Sequence, residues 1–434
     1  MQNNLKVAAI VRQFCILGII LFQVAGCTGI SNTPTGDLPT ATVTVDNIPT
    51  PTALITPLPE GPITLRIWLP PLMNPQEDTP AGRLLKARLE EFTTRRPGVK
   101  IEVRIKAQEG PGGLYDSLTT ASAAAPQTLP DLVALPRPTL EAAAQKGILH
   151  TYDGITTILE DADWYEFARQ LARVQNSIFG IPFAADFLVM AYHSTDVSAP
   201  PNSLEAAIPG GKALLFPAAD PQALFSIVLY LSAGGRLTDD QGKPYLDQQA
   251  LLQVLRTYQN AQNNAVLPYW LTQYQTYSQI WQAYTENRSN IAVIWLSDYL
   301  NNQLENTQIA PIPTLGKTSL TLASGWVWAF TSSENGKIDL TVELADFLSS
   351  GSFVANLASA LDQLPARQST LNFWENTGLR TTADQIARTA IVFPPAEILT
   401  IIEPPVYEAT IQVLKDQIDP AKAVQQAIDS LKNP

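Results

Sequence analysis

Ile63-Thr64-Leu65-Arg66-Ile67-Trp68-Leu69 alternates strictly, so Ile63, Leu65, Ile67 and Leu69 fall on one side of a strand. Shortly after it, Thr79 as N-cap and Pro80 as first helical residue open a helix that carries Leu84, Leu85, Leu89 and Phe92 at helical spacing and stops at Pro97-Gly98. Val99, Ile101, Val103 and Ile105 then alternate through a second strand. Strand, helix and strand within about 45 residues make a βαβ unit. Leu132-Val133-Ala134-Leu135, apolar on both faces, reads as a strand in the middle of a sheet. Helix and strand patterns keep alternating to the C-terminus, so the fold class is α/β. In open sheets of this class a ligand sits beyond the carboxyl ends of the strands, which points to the loops Pro70 to Pro75 and Pro136-Arg137-Pro138.

Ahead of this region stand Lys6, Arg12 and an apolar run from Phe14 to Phe22, long enough for an export signal and too short to span a bilayer. Val24-Ala25-Gly26-Cys27 closes it and looks like a bacterial lipobox. That likeness implies that residues 1–26 are a lipoprotein signal peptide and that Cys27 is lipidated, holding the chain to the extracytoplasmic face of a membrane. Cys15 leaves with the signal, so no cysteine remains for disulfides, thiolate catalysis or metal ligation. Thr and Pro dominate Thr28 to Pro59, which makes 27–61 a semi-extended tether.

The remaining residues, about 370, exceed what one hydrophobic core usually serves and call for two lobes with a cleft between them. The net charge of −12 argues against nucleic acid, which requires clustered Lys and Arg. Only His150 and His193 exist, with no Ser-centred elbow and no His-Glu-x-x-His, and Asp239-Asp240-Gln241-Gly242 lacks the alternating acids of a calcium loop. Neither a metal nor a cofactor is expected. A secreted glycoside hydrolase would need paired carboxylates. The adjacent acids on offer (Glu90 with Glu91, Asp161 with Asp163, Asp239 with Asp240) read as solvated surface or turn, so the chain is expected not to be an enzyme.

Phe92 to Ile101 resembles the "F-x-x-x-x-P-G-I-K-V" entry of bacterial extracellular solute-binding proteins, the carbohydrate-type receptors of ABC importers. Pro130-Asp131-Leu132-Val133, Gly147-Ile148-Leu149, Phe179-Gly180-Ile181-Pro182-Phe183, Gly234-Gly235-Arg236-Leu237 with Asp240 to Lys243, Pro311-Ile312-Pro313, Gly325-Trp326 and Leu364-Pro365-Ala366-Arg367 follow in the family's order. Each match is short; their shared order along the chain carries the resemblance. It implies a two-lobed, periplasmic-binding-protein-like fold with hinge crossings near 183–187, 313–322 and 363–370. Lobe 1 would comprise 62–185 with 322–366, and lobe 2 would comprise 186–321 with 367–434. It further implies a monomer that captures a small solute, most often a sugar or oligosaccharide, by hinge closure and delivers it to membrane permease subunits. A ligand-presenting sensor or an adhesin would use the same fold.

A sugar site needs flat aromatic faces and short polar groups. Trp68 ends the first strand on the parity opposite its apolar face, and Asp186-Phe187 follow the first crossing. Trp295, Asp298 and Tyr299 come after Ile291-Ala292-Val293-Ile294, with Tyr299 at the position of the family's stacking Trp. Gly325 lets backbone approach while Trp326 is directed to the cleft, and Arg367 offers a fork for hydroxyls or a carboxylate; a salt bridge at the hinge is its other reading. Tyr192-His193-Ser194 departs from the family's "Y-N-K", and Ser289 to Val293 lacks its glycine and methionine. The substrate therefore need not be the family's usual one.

Overall fold

Twelve strands occur among the described residues: β1 Ile63–Leu69, β2 Val99–Ile105, β3 Leu132–Pro136, β4 Arg173–Val174, β5 Ser177–Ile178, β6 Ile181–His193, β7 Leu214–Leu215, β8 Ile291–Trp295, β9 Thr307–Ala310, β10 Thr321–Phe330, β11 Leu364–Pro365 and β12 Ala390–Val392. The computed structural model describes residues 62–316, 319–331 and 335–432. The expected signal peptide, the lipidated Cys27 and the tether at 27–61 lie outside them. The described residues belong to one compact unit.

β1 and β2 pair in parallel from Ile63↔Val99 to Leu69↔Ile105, joined through the helix Pro80–Arg95, which is the βαβ unit read from the sequence. Thr79 caps that helix, its hydroxyl accepting from the Gly82 N–H at 3.0 Å, and Leu85, Leu89 and Phe92 form its buried stripe. β3 lies between β1 and β10 with Leu132 to Leu135 fully buried, as a doubly covered central strand should be. β2 is the edge, so Val99 is buried whereas Ile101, Val103 and Ile105 stay half-exposed.

The main sheet runs β2-β1-β3-β10-β6-β8-β7, with β9 and β11 also on β6 and β12 on β10. Its pivot is β6. Over Ile181–Phe187 this strand pairs antiparallel with β10, and over Leu188–Tyr192 with β8. Thirteen residues long, β6 leaves only Asp186 and His193 with appreciable surface. A single strand thus serves two halves of the sheet, and its partners change beside Asp186. Helices on both faces supply the mixed α/β layering, including Ala396–Leu414 and Pro420–Lys432 near the C-terminus.

Candidate functional site

β7 and β8 are parallel, and Leu188 of β6 stands opposite Trp295, the last residue of β8. The carboxyl end of β8 therefore lies where β6 changes partners. From the other half, β3 ends at Pro136 opposite Trp326 of β10, and Trp326 also faces Ala184 of β6. Strand ends from both halves converge on Ala184–Leu188, the kind of place where open α/β sheets hold ligands.

Asp186 ties this junction together. Its carboxylate accepts from the Phe187 N–H at 2.9 Å, the Ser297 N–H at 3.0 Å and the Ser297 hydroxyl at 2.6 Å. Ser297 lies in the first turn of the helix Leu296–Asn301, so Asp186 pins the segment after β8 to the crossing strand. Burial pushes its carboxyl up to about 7, outweighing the Ser297 and Phe187 donors that favour the charged form, and the nearby Asp298 adds to the rise.

Trp295, which ends β8 next to this anchor, has aromatic neighbours. The half-exposed indole of Trp295 packs edge-on to Tyr277 at 5.8 Å and roughly parallel to Phe393, itself half-exposed, at 6.3 Å. Asp298, in the same helical turn as Ser297, has its carboxyl raised by burial, partly offset by a hydrogen bond with the Trp295 backbone. In the loop after β7, Asp220 accepts from the Gln222 and Leu224 N–H groups, both at 3.1 Å, and burial raises it as well. Glu403 projects from the helix Ala396–Leu414, just before Pro404 and Pro405. It is half-buried and pushed up to about 7, first by desolvation and then by the charge of Asp220. Among the described residues no group of three or more His, Cys, Asp and Glu side chains is placed to hold a metal ion.

The nine residues expected to contact ligand separate in the structure. Asp186, Trp295 and Asp298 gather at the junction, each with some surface. Five others are buried. Trp68, 3% exposed, lies between neighbours on both sides, opposite Arg104 and Val133, with the Lys106 ammonium 4.9 Å over its ring. Phe187 is buried edge-on against Phe167 at 5.0 Å. Tyr299 is 8% exposed and Trp326 5%. Gly325 admits backbone, but that of a neighbouring strand: a Cβ there would sit 2.6 Å from the Ala184 carbonyl oxygen and 2.7 Å from Leu171 Cδ2. For Trp68 the reason is that β1 has neighbours on both sides and is buried at this position, so parity within the strand assigns no side to a cleft.

Arg367 follows its other reading. Its guanidinium lies 4.1 Å over the Trp164 ring and bridges to Asp161 at 3.0 Å and Asp163 at 3.6 Å. Asp163 in turn accepts from the Ser369 N–H and hydroxyl, both at 2.7 Å, which clamps 161–164 to 367–369. Reading the sequence missed Asp220, Phe393 and Glu403. The signal available was an acid within an otherwise apolar helical run, Ile401-Ile402-Glu403-Pro404-Pro405-Val406.

Residues 87–382 match the family model described as bacterial extracellular solute-binding protein. Among solved structures, the chain is similar to the cyclic alpha-maltosyl-1,6-maltose binding protein from Arthrobacter globiformis, at 15% identity and a TM-score of 0.70, covering 86% of this chain and 100% of that one. It is also similar to the sugar-binding protein MalE from the phytopathogen Xanthomonas citri, at 18% identity and a TM-score of 0.69, covering 85% and 98%. A third similar structure is the GacH receptor of Streptomyces glaucescens, at 16% identity and a TM-score of 0.62, covering 86% and 98%. These likenesses establish a shared two-lobed fold. No curated protein matches the sequence.

Proposed function

Because the chain belongs to the bacterial extracellular solute-binding proteins, and so works outside the cytoplasm, we propose that it is the receptor of an ABC importer for a sugar or oligosaccharide. Its lobes, 62–185 with 322–366 and 186–321 with 367–434, close on the solute by hinge motion about β6 and present it to permease subunits. Among the described residues no helix is long and apolar enough to cross a membrane. The receptor, a monomer, is held instead by lipid on Cys27 after removal of residues 1–26, with 27–61 as spacer.

The observation that carries this reading is the convergence of strand ends from both halves on Ala184–Leu188, beside the half-exposed Trp295–Phe393 pair. Aromatic faces of that kind suit the C–H surfaces of a pyranose ring, and the acids around them suit its hydroxyls. The contact set proposed is Asp186, Trp295, Asp298 and the newly placed Asp220, Phe393 and Glu403.

A thermal-shift screen of the purified protein against mono- and oligosaccharides, with amino acids as controls, tests it. Ligand at a hundredfold excess over Kd contributes about 2.7 kcal/mol, which for roughly 370 folded residues raises the midpoint by about 3 °C. A shift confined to one glycan class is expected. A shift with an amino acid alone, or turnover of a glycoside, refutes the proposal.

A further inference from the structure

β6 and β10 are buried along almost their whole length, and within the sheet each opens to the surface at a single place. On β6 that place is Asp186, His193 being the strand's last residue; on β10 it is Ser324. The two residues stand directly opposite one another. Around them the sheet narrows. On the far side of β6, pairing with β11 stops at Ala185 and pairing with β8 starts at Leu188. On the far side of β10, pairing with β12 stops at Ala323 and pairing with β3 starts at Trp326. At the level of Asp186 and Ser324 only these two strands remain side by side.

The pleat sends both side chains to one face of the sheet and brings the aromatic pair to the same face. Trp295 stands opposite Leu188, two residues along β6 from Asp186. Val392 pairs in parallel with Ala323, and that register carried one residue further sets Phe393 beside Ser324. The two rings do meet, their centroids 6.3 Å apart. Both polar groups keep bonding capacity. The Phe187 and Ser297 N–H groups occupy Asp186 Oδ1, and the Ser297 hydroxyl takes one lone pair of Oδ2, which leaves the other. The Ser324 hydroxyl is bonded to no described residue. Directly opposed residues hold their Cβ atoms about 5 Å apart, so an oxygen lying over the pair reaches both groups.

We infer that Ser324 is a ligand-binding residue sharing one ligand hydroxyl with Asp186: the hydroxyl donates to Asp186 Oδ2 and accepts from Ser324, and its ring lies against Trp295 and Phe393. A hydroxyl fits because it donates and accepts through a single atom, whereas an ether oxygen only accepts. This inference rests on the sugar-receptor reading and adds to it a residue and a hydrogen-bonding pattern.

The test is calorimetric titration of the purified protein with maltotriose, cellotriose, xylotriose, mannotriose and their parent monosaccharides, the best binder being carried to the variants. At pH 8 the Asp186 carboxyl, pushed up to about 7, is mostly ionised. Ser324→Ala should weaken binding by roughly three- to tenfold, as loss of a neutral hydrogen bond does. Its midpoint without ligand should stay within about 2 °C of wild type, since no protein group loses a partner. Because one hydroxyl serves both residues, the double variant Ser324→Ala/Asp186→Asn should bind within about twofold of the weaker single variant. Binding by Ser324→Ala within twofold of wild type, a midpoint that falls with the affinity, or single losses that multiply in the double variant overturns the inference and leaves the sugar receptor standing. Failure of every saccharide to bind the wild type overturns both.

Discussion

Replacing Asp186 by Asn isolates the electrostatics of the point where β6 changes partners. The carboxyl rises from 3.8 to about 7 because it is buried, so its ionised form is disfavoured in the folded protein relative to the unfolded chain. A folded pKa above the unfolded one means stability that is complete below about pH 4 and lost as pH rises through about 7. Between pH 5 and pH 8 the loss amounts to roughly 2–3 kcal/mol, since each tenfold change in an ionisation equilibrium is worth about 1.4 kcal/mol. With an unfolding entropy of about 2.1 cal/mol/K per residue over roughly 370 residues, this corresponds to about 3 °C in midpoint. Asn keeps one acceptor oxygen for the Ser297 and Phe187 N–H groups and cannot ionise, so its cost is constant at all pH values. Thermal unfolding of both proteins at pH 5 and pH 8 should therefore show the wild type losing about 3 °C more than Asp186→Asn across the interval. Curves that fall in parallel would refute the reasoning, since other groups would then carry the pH dependence and Asp186 would ionise as an ordinary carboxylate.

Gly325→Ala should destabilise by about 1–3 kcal/mol, visible as a lower unfolding midpoint, because the new methyl meets the Ala184 carbonyl and Leu171. Arg367→Ala should lower the midpoint through loss of the Trp164 and Asp161 contacts, on the order of 1 kcal/mol, while leaving ligand affinity within twofold; lost affinity at unchanged stability would restore Arg367 as a ligand group. Trp295→Ala should weaken ligand binding about tenfold or more at a midpoint within a few degrees of wild type, and a large stability loss instead would place that indole in the core. Tyr152→Phe should cost about 1 kcal/mol in thermal unfolding, the worth of its buried 3.0 Å hydrogen bond to the Trp328 carbonyl.

Local chemistry was legible wherever the cause of a structure lay within a few residues. The alternation of Ile63 to Leu69, the Thr79-Pro80 helix start and the apolar run Leu132 to Leu135 each produced the element expected. The order of short signals along the chain identified the family that residues 87–382 match. Asp186, Trp295 and Asp298 could be brought together from the sequence because they follow a strand crossing or a strand end, positions that topology alone directs to one edge.

Tertiary packing decided the rest. Trp68 looks like a cleft residue by parity, but parity distinguishes inside from outside only when one face of a sheet meets water. Here Trp68 is 3% exposed, with Leu65, Ile67 and Leu69 of the other parity buried as well. Asp220 and Glu403 belong to segments far apart in sequence, a strand-end loop and a proline-marked helix, and nothing in either segment refers to the other. Burial and proximity set their charge, and both are properties of the assembled core: the sequence by itself determined which elements form and what family they compose, whereas the desolvation that raises the carboxyls of Asp220, Asp298 and Glu403 exists only once distant segments exclude water from one another.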